Sequence, residues 1–465
     1  MRKGLNQLVC LILALSFLAS TTWVGPTEAK QSQSYDFTRV DTLLQSSLSE
    51  IGGTGCALIL IQDGKVIYRK AFGNFSENQV VPIASATKWL SGAVIMALVD
   101  QGKISLDDPA AKYLPNFTGD KANITIRQMF SHTSGLPGDS DCTRDRSGTL
   151  AECVDEIALV PLLAPPGSQF YYGSCSMHTA GRIAEIVTGK SWDEVFQDTI
   201  AGPLGMTRTD YEGLGRTDNP LIAGGARSSI DDYSRFLQMI LNRGVFEGKR
   251  VLSEAAVAEM LKDQTFGVPL VGTPYANYSN LDPNLPLTRY GIGHWLEVVD
   301  PATGAVVEHS SQGAFGCSPW IDYRRNLVGV FLTFSVLNRV MPTYLKLKDT
   351  IHSIVPASTA DLIVPVVSDV TTSKAKVFRP KDPMIEIRWK SVDNIGVVGH
   401  DLSYASDGTS FSTAVATGLS GELQTYTWTI PPSLPRSKSA RIKVSARDAA
   451  GNIGDGITRG VLIVK

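Results

Sequence analysis

Apolar and polar positions follow two different periods along the first part of the chain. Residues 56–61 are a continuous apolar run that predicts a buried strand, and the turn at Asp63 and Gly64 predicts that residues 65–68 pair back on it as a hairpin. Between residues 86 and 102 the apolar positions recur at helical spacing. This segment is therefore predicted to be a helix with one buried face.

The same patterns predict further helices and strands up to about residue 355. Helices are expected near residues 176–190, 192–200, 230–243 and 253–262, and strands near residues 290–299, 304–309, 314–323 and 326–334. Strands at both ends around a helical middle predict an α+β domain over residues 35–355, with a sheet completed by both ends of the domain.

The pattern of the last part of the chain is different. Residues 384–389, 424–430 and 441–446 alternate strictly between apolar and polar positions, and no helical spacing is found beyond residue 373. Short alternating strands separated by turns predict an all-β sandwich over residues 373–465. The stretch rich in Pro, Ser and Val before it predicts a linker over residues 356–372.

Composition indicates the class of the protein, and the first residues indicate its location. The 43% hydrophobic and 19% charged residues are typical of a globular protein, and a net charge of -2 argues against a nucleic-acid partner. A basic start followed by an apolar run of about a dozen residues predicts a signal peptide over residues 1–29. The mature chain is then expected in the periplasm or outside the cell, with no membrane span.

Charge is unevenly distributed between the two regions. Residues 373–465 contain 13 Lys and Arg against 8 Asp and Glu, so this region carries about five positive charges. Solvated surfaces explain such an asymmetry, and so does contact with an acidic or cell-wall polymer.

Cysteines offer one natural disulfide. Cys10 falls in the predicted signal peptide, which leaves five cysteines in the remaining chain. Cys142 and Cys153 lie eleven residues apart in a polar stretch, so an oxidising compartment favours a disulfide between them. The odd count leaves at least one thiol, and no spacing is typical of a zinc site.

The strongest chemical signal is Ser85, followed three residues later by Lys88, at the start of the predicted helix of residues 86–102. Free N–H groups and the positive end of the helix dipole at this position can stabilise an oxyanion. Lys88 lies on the same face, and burial would lower the pKa of its amine enough to make it a base.

The segments around this motif resemble those of serine β-lactamase-like and penicillin-binding-protein-like hydrolases, in the group of class C β-lactamases, esterases and D-amino-acid peptidases. The resemblance implies the β-lactamase/transpeptidase-like fold, an antiparallel sheet with a helical subdomain, and an acyl-enzyme mechanism without a metal or cofactor. It extends to about residue 340 and rests on segments 101–109, 113–115, 124–137, 166–168, 181–183, 202–207 and 290–293.

The same resemblance implies the catalytic set. Ser85 matches the acylated nucleophile, Lys88 its partner, and Tyr172 the tyrosine of the second motif. Tyr171 is a rival one position away, although the family spacing favours Tyr172. Ser174 stands where the family usually has Asn, so this position keeps a hydrogen-bonding group and loses the side-chain amide.

The third motif, a strand that lines the site, leaves two registers open. In the preferred register, His309 to Ser311 match the triplet of the family, and the Gln312 N–H is the second oxyanion donor. In the other register the triplet ends at Gly313, which permits close approach of the substrate, and Ala314 is the donor. Ser174, His309, Ser311, Gln312 and Gly313 are therefore the candidate substrate-binding residues.

Neither register supplies the lysine that receives a carboxylate in lactamases. A neutral histidine there loses a charge-assisted hydrogen bond, which is typically worth roughly 1.5–3 kcal/mol. This argues against efficient penicillin or cephalosporin hydrolysis, unless Arg289, Arg324 or Arg325 substitutes for the lysine.

In the C-terminal region, residues 391–397 and 446–452 resemble the fibronectin-III-like and immunoglobulin-like modules of secreted bacterial enzymes. The Asp and Asn residues there could bind calcium, although turns select the same residue types.

These observations together predict an exported serine hydrolase for small-molecule or peptide esters and amides, of the carboxylesterase or D-amino-acid peptidase type. A class C-like β-lactamase and a catalytically silent binding protein on the same fold are the alternatives.

Overall fold

The computed structural model describes residues 35–275, 280–281, 287–378 and 381–465. The predicted signal peptide, residues 1–29, lies outside these ranges. Within them, no helix is both long enough and apolar enough to cross a membrane.

The first region is built on an antiparallel sheet that closes the domain from both ends. Its strands lie in the order β2-β1-β12-β11-β10-β9, and β1 pairs with β12 so that Ile59 faces Val330. The prediction of an α+β fold whose sheet combines both ends of the domain is confirmed. The bounds are β1 (Gly55–Gln62), β2 (Lys65–Gly73), β9 (Trp295–Val299), β10 (Val306–Ser310), β11 (Ser318–Asp322) and β12 (Leu327–Thr333).

Shorter strands tie the loops of this region together in pairs. β3 pairs with β5, β4 with β8, and β6 with β7. Their bounds are β3 (Val81–Pro82), β4 (Phe170–Tyr171), β5 (Arg227–Ser228), β6 (Val245–Phe246), β7 (Lys249–Arg250) and β8 (Leu270–Gly272).

Helices follow the order of the sequence, with one 3₁₀ turn at Ala84–Ala86 directly before α2. Each predicted helix is present within a few residues of its expected bounds. The helices are α1 (Thr38–Ile51), α2 (Thr87–Asp100), α3 (Ile126–Phe130), α4 (Leu150–Leu159), α5 (Cys175–Thr188), α6 (Trp192–Phe196), α7 (Gly202–Leu204), α8 (Ile230–Leu241), α9 (Glu254–Leu261) and α10 (Leu337–Ile354).

The α2 helix is buried on every side and not on one face as its spacing predicts. All residues from Thr87 to Leu98 are buried, and Trp89 packs edge-on against Phe236 of α8. The helix lies between neighbours on all sides, among them α5, α6 and α9, so even its small and polar residues are enclosed. Gly92 admits such a contact, because a Cβ atom there would lie 2.4 Å from the carbonyl oxygen of Ile292.

Five helices, α1, α3, α4, α7 and α10, have no counterpart in the sequence predictions. α10 contains Pro342, which argues against a helix, yet Val340, Tyr344, Leu347 and Ile351 form a buried stripe at helical spacing. α10 packs against α1.

The last region is all-β, as predicted, and its two sheets are consistent with a β-sandwich. One sheet has the order β13-β15-β18; the other has the order β14-β21-β19-β16-β17, with β20 paired to β19. The segment 356–372, expected to be a linker, already contains β13. The bounds are β13 (Val366–Thr372), β14 (Lys376–Val377), β15 (Met384–Val392), β16 (Val397–Ala405), β17 (Thr413–Ser420), β18 (Thr425–Thr429), β19 (Ser437–Asp448), β20 (Ile453–Ile457) and β21 (Leu462–Val464).

Candidate active site

Ser85 lies in the 3₁₀ turn that leads into α2. The turn is held by the Ile83 N–H, which donates to the Ala226 carbonyl at 2.9 Å, and by the Tyr233 hydroxyl, which donates to the Ala86 carbonyl at 2.6 Å. Ala84 adopts a φ of 45°, a left-handed conformation that is costly for a residue with a Cβ. Strain of this kind immediately before the candidate nucleophile indicates a conformation fixed by its surroundings.

Lys88 is buried, with 3% of its surface exposed, and its amine faces Ser85. Its Nζ lies 3.1 Å from Ser85 Oγ and donates to the Ala223 carbonyl at 2.8 Å. Burial lowers the pKa of Lys88 to about 7, an effect that the negative charge of Asp139 partly opposes. A lysine with this pKa is substantially neutral at pH 7 and can accept the proton of a serine hydroxyl.

Tyr172 completes the group, and Tyr171 does not. The Tyr172 ring centre lies 4.5 Å from Lys88 Nζ, and the ring stacks on Trp295 at 5.6 Å. The Tyr171 ring instead packs against the backbone of Gly138 and Gly272. The structure thus brings together Ser85, Lys88 and Tyr172, the three residues expected to be catalytic.

The phenol of Tyr172 is in its neutral form at ordinary pH. Burial raises the pKa of Tyr172 well above its usual value, and a hydrogen bond with Ser85 offsets only part of that increase. Tyr172 can therefore relay a proton as a neutral hydroxyl, while Lys88 is the group that takes the proton.

His132 supports this tyrosine from behind, with ring centres 4.5 Å apart. Its ring is buried, which lowers the pKa of His132 well below its usual value, and neither ring nitrogen has a hydrogen-bond partner among the described residues. His132 is a packing residue in this arrangement.

Ser174 follows Tyr172 at the start of α5. Its N–H donates to the Gly138 carbonyl, and its own carbonyl accepts a hydrogen bond from the His178 N–H at 3.0 Å. Within the described part of the chain its hydroxyl has no hydrogen bond to Ser85, Lys88 or Tyr172. A role of Ser174 in substrate binding stays a prediction.

The segment after β10 lies directly against the turn that carries Ser85. The Ser311 hydroxyl donates to the Ser85 carbonyl at 3.2 Å. A Cβ atom at Gly313 would lie 2.0 Å from the Ile83 carbonyl oxygen, so only glycine fits there. Gly313 therefore packs against protein and does not make room for a substrate.

Two N–H groups remain unpaired at this contact. The Ser311 and Gly313 N–H groups donate to the carbonyls of Pro319 and Cys317. The N–H groups of Ser85 and Gln312 have no acceptor among the described residues. Ala314, the donor in the other register, lies in the exposed turn that follows. The geometry favours the register in which His309 to Ser311 form the triplet and Gln312 supplies the donor.

Comparison with known proteins agrees with this geometry. The sequence profile of the family described as Beta-lactamase matches residues 40–340. The chain belongs to the beta-lactamase family of serine hydrolases.

Relatives and solved structures extend the match within this family. Penicillin-binding protein 4 of Amycolatopsis lactamdurans is 31% identical, over 59% of this chain and 85% of its own length. The crystal structure of a putative beta-lactamase from Bacteroides dorei DSM 17855 is 34% identical, with a TM-score of 0.63, and covers 69% of this chain and 99% of that one.

Two further matches show less. The first shares only the fold, and the second covers less than half of either protein. The D-amino acid amidase of Ochrobactrum anthropi SV3 shares the fold at 18% identity, with a TM-score of 0.54 over 68% of this chain and 100% of that one. Protein flp of Staphylococcus aureus (strain NCTC 8325 / PS 47) is 28% identical over 37% of this chain, and the match spans 38% of the length of flp.

The histidine of the third motif is enclosed in this family member. His309 Nδ1 lies 3.0 Å from His294 Nε2, and the His294 ring stacks on Trp89 at 4.8 Å. Burial lowers the pKa of His294 to about 3 and that of His309 well below its usual value. His309 is thus neutral, and among the described residues it has no hydrogen bond to Ser85, Lys88 or Tyr172.

The side chain of Gln312 points away from the candidate nucleophile. Its amide oxygen accepts a hydrogen bond from the Tyr275 hydroxyl at 2.7 Å, and its amide nitrogen donates to Ser310 Oγ at 2.9 Å. Only the backbone of Gln312 is therefore available to a substrate at Ser85.

The arginines that could replace the missing lysine are all paired with carboxylates. Arg325 binds Asp322 at 2.8 Å, Arg324 binds Asp300, and Arg289 lies 3.8 Å from Asp263. Among the described residues none of the three has a hydrogen bond to the Ser85 group.

Cys142 and Cys153 are joined by a disulfide between the 3₁₀ turn at Asp141–Arg144 and α4. Asn219 adds to this contact, because its amide donates to the Cys142 carbonyl at 2.8 Å. The remaining cysteines of the described ranges, Cys56, Cys175 and Cys317, are buried free thiols. Burial raises the pKa of each of these thiols, so none is activated as a nucleophile.

Some residues of the site could not have been found from motifs. Trp295, Ala223 and Asp139 shape the position of Tyr172 and the pKa of Lys88, yet no sequence pattern singles them out. The charge of Asp139 raises the pKa of Lys88, and the backbone of the neighbouring Gly138 is in direct contact with that of Gly173.

Proposed function

We propose that this chain is an exported hydrolase that cleaves esters or amides through an acyl-enzyme on Ser85. The observation that carries the proposal is the 3.1 Å separation between Ser85 Oγ and a buried Lys88 amine whose pKa lies near 7. A serine beside a base of this strength can be deprotonated as it attacks a carbonyl.

The proposed reaction has two halves that use the same groups. Ser85 Oγ forms a bond to the carbonyl carbon of the substrate while Lys88 takes its proton, and the N–H groups of Ser85 and Gln312 hold the oxyanion. The proton then passes from Lys88, with the Tyr172 hydroxyl as a relay, to the leaving alcohol or amine as its bond to the carbonyl carbon breaks. In the second half a water molecule gives a proton to Lys88 and attacks the acyl carbon. The bond between that carbon and Ser85 Oγ then breaks, Lys88 returns the proton to Ser85 Oγ, and the acid is released.

The proposed substrates carry no carboxylate beside the scissile bond. His309 is buried and neutral, and Arg289, Arg324 and Arg325 are each paired with an acidic side chain. A substrate carboxylate would find no fixed positive charge from these residues, so carboxylesterase or D-amino-acid peptidase activity is favoured over β-lactamase activity.

The test is a panel of p-nitrophenyl esters, D-amino-acid amides, D-Ala-D-Ala peptides and nitrocefin, with wild type and Ser85→Ala. We expect turnover of an ester or D-amino-acid amide, covalent labelling of wild type by a fluorophosphonate probe, and neither with Ser85→Ala. D-Ala-D-Ala peptides carry a carboxylate beside the scissile bond, so faster turnover of these peptides than of every ester and amide would contradict the proposed substrate class. Nitrocefin turnover above that of every ester and amide would support the β-lactamase alternative. No labelling and no turnover of any substrate would support a silent binding protein.

We propose periplasmic or secreted localisation from residues 1–29, and contact of the C-terminal region with an acidic or cell-wall polymer from its excess of Lys and Arg. Co-sedimentation of the chain with cell walls, at low and high salt, tests the second part. Binding that does not weaken with salt would contradict a contact based on charge.

A further inference from the structure

Three carboxylates lie close together where the chain passes from the hydrolase region (residues 35–355) into the strand-rich region (β13 to β21, residues 366–465). Asp361 precedes β13, Asp393 lies in the turn between β15 and β16, and Asp448 ends β19. One oxygen from each lies within 4.8 Å of the others. Asp448 is only 1% exposed, so water screens this concentration of negative charge poorly.

Two of the oxygens in this acidic cluster have no hydrogen-bond donor among the residues that the structure describes. Asp361 Oδ1 accepts hydrogen bonds from Ile363 and Asn394, and Asp393 Oδ1 accepts them from the N–H groups of Ile395 and Gly396. The second oxygen, Oδ2, of both Asp361 and Asp393 is enclosed by protein and has no donor within the described ranges. Enclosed carboxylate oxygens without a donor are rare in folded proteins and call for a missing partner.

No basic side chain of the described residues neutralises this acidic cluster. Arg243 approaches it from the hydrolase region, but its guanidinium donates to Asn452 Oδ1 and pairs with Glu254 at 3.1 Å. The cluster therefore combines enclosed lone pairs with uncompensated negative charge.

We propose that Asp361, Asp393 and Asp448 bind a calcium ion that fastens the strand-rich region to the segment leaving the hydrolase region. The donors are hard oxygen atoms only, which suits calcium or magnesium and not a soft metal. Calcium fits better, because it accepts irregular geometry and carboxylates from distant parts of a chain, whereas magnesium requires a near-ideal octahedron. The ion would take the place of the absent donors at the two Oδ2 atoms.

The location gives the ion a structural role. Asp361 lies just before Ile363, which packs on Ala305 and Val307 of the sheet in the hydrolase region. Asp393 and Asp448 belong to the strand-rich region, so one ion would bridge both sides of this junction. Binding is expected to hold the two regions together without a direct effect on Ser85.

The test uses the full chain after EDTA treatment, with calcium binding measured by isothermal titration and unfolding measured by scanning calorimetry. We expect one ion per chain and a melting temperature that rises with calcium concentration. Asp361→Asn and Asp393→Asn should each weaken binding by roughly tenfold or more, because each removes one charged ligand. Asp369→Asn, which removes an exposed carboxylate paired with Lys390, is the matched control and should bind like wild type.

A second measurement separates a ligand role from a merely structural one. Without calcium, Asp393→Asn should unfold at the same or a higher temperature than wild type, because the variant relieves repulsion while its amide oxygen can still accept from Ile395 and Gly396. With calcium, Asp393→Asn should unfold at a lower temperature than wild type. Wild type that binds no calcium at millimolar concentration, or an Asp393→Asn variant that binds as tightly as wild type, would overturn the proposal. Tighter binding of magnesium chloride than of calcium chloride would overturn the choice of ion.

Discussion

The Ser311 hydroxyl donates a hydrogen bond to the main-chain carbonyl of Ser85 at 3.2 Å, which ties the third motif to the turn of the nucleophile. This bond holds the segment that carries the Gln312 N–H against the turn that carries the Ser85 N–H. Ser311 is thus a positioning residue for the proposed oxyanion site, and it holds the two donors by a contact that the substrate does not make.

Replacing Ser311 by Ala should lower kcat by roughly tenfold with little change in KM, since loss of the bond misplaces donors that act mainly in the transition state. Steady-state kinetics with the best ester of the panel measures this effect. Ser310→Ala is the matched control, because Ser310 Oγ bonds to the Gln312 side chain and not to the Ser85 turn. An unchanged kcat in Ser311→Ala would contradict the positioning role.

Replacing Tyr172 by Phe should reduce kcat by about 10²–10⁴, the usual contribution of a positioned acid–base group. Tyr171→Phe removes the same hydroxyl one residue away, where the ring packs on Gly138 and Gly272, and should leave kcat nearly unchanged. An unchanged kcat in Tyr172→Phe, which keeps the ring and removes only the hydroxyl, would show that aromatic packing, and not proton relay, is the role of Tyr172.

The pH dependence of kcat/KM should report the ionisation of Lys88. The pKa of Lys88 is lowered to about 7, and only the neutral amine can take a proton, so activity should rise with pH through about 7 and then level off. The pKa of Tyr172 is raised above its usual value, so Tyr172 adds no falling limb below pH 9 or so. A profile that is flat between about pH 5 and 9 would exclude Lys88 as the base.

Asp139→Asn should move that rise to lower pH. The negative charge of Asp139 raises the pKa of Lys88, so its removal favours the neutral amine at a lower pH. Asp139 is exposed and pairs with Arg144 at 3.1 Å, so the shift should shrink at high salt. Asp141→Asn on the same loop is the control, and a midpoint that rises in Asp139→Asn would contradict the assigned electrostatics.

Loss of the disulfide between Cys142 and Cys153 should destabilise the hydrolase region. Closing a loop with a sequence separation of 11 is worth about 3 kcal/mol in the chain-entropy description. The melting temperature of the double variant Cys142→Ala and Cys153→Ala should therefore be several degrees below that of wild type. A reductant should lower the melting temperature of wild type and leave that of the double variant unchanged. An equal effect of the reductant on both proteins would assign the change to other causes.

The catalytic side chains can be predicted from the sequence better than their surroundings can. The Ser85 and Lys88 spacing and the family spacing of Tyr172 were sufficient to name three side chains that meet in the structure. The pKa of Lys88 could not be read in the same way, because it depends on enclosure by residues far away in sequence, such as Ala223.

The elements that were missed have physical reasons. α10 contains Pro342, which disfavours a helix in a sequence pattern, although Val340, Tyr344 and Leu347 carry the helical spacing. Gly313 was expected to permit close approach of a substrate, and this expectation differs from the structure. Its missing Cβ makes room for the Ile83 carbonyl, and only the folded contact shows that protein fills this space.

The enclosure of α2 limits where substrate preference can change. Every residue from Thr87 to Leu98 contacts protein on all sides, so substitutions there would disturb folding before they altered selectivity. Variation that is compatible with a stable fold is left to the loops that follow His132 and Gly313, where Asp139 and Ala314 are exposed. Libraries aimed at new substrates should therefore be directed to those loops, with the helix that follows the nucleophile kept constant.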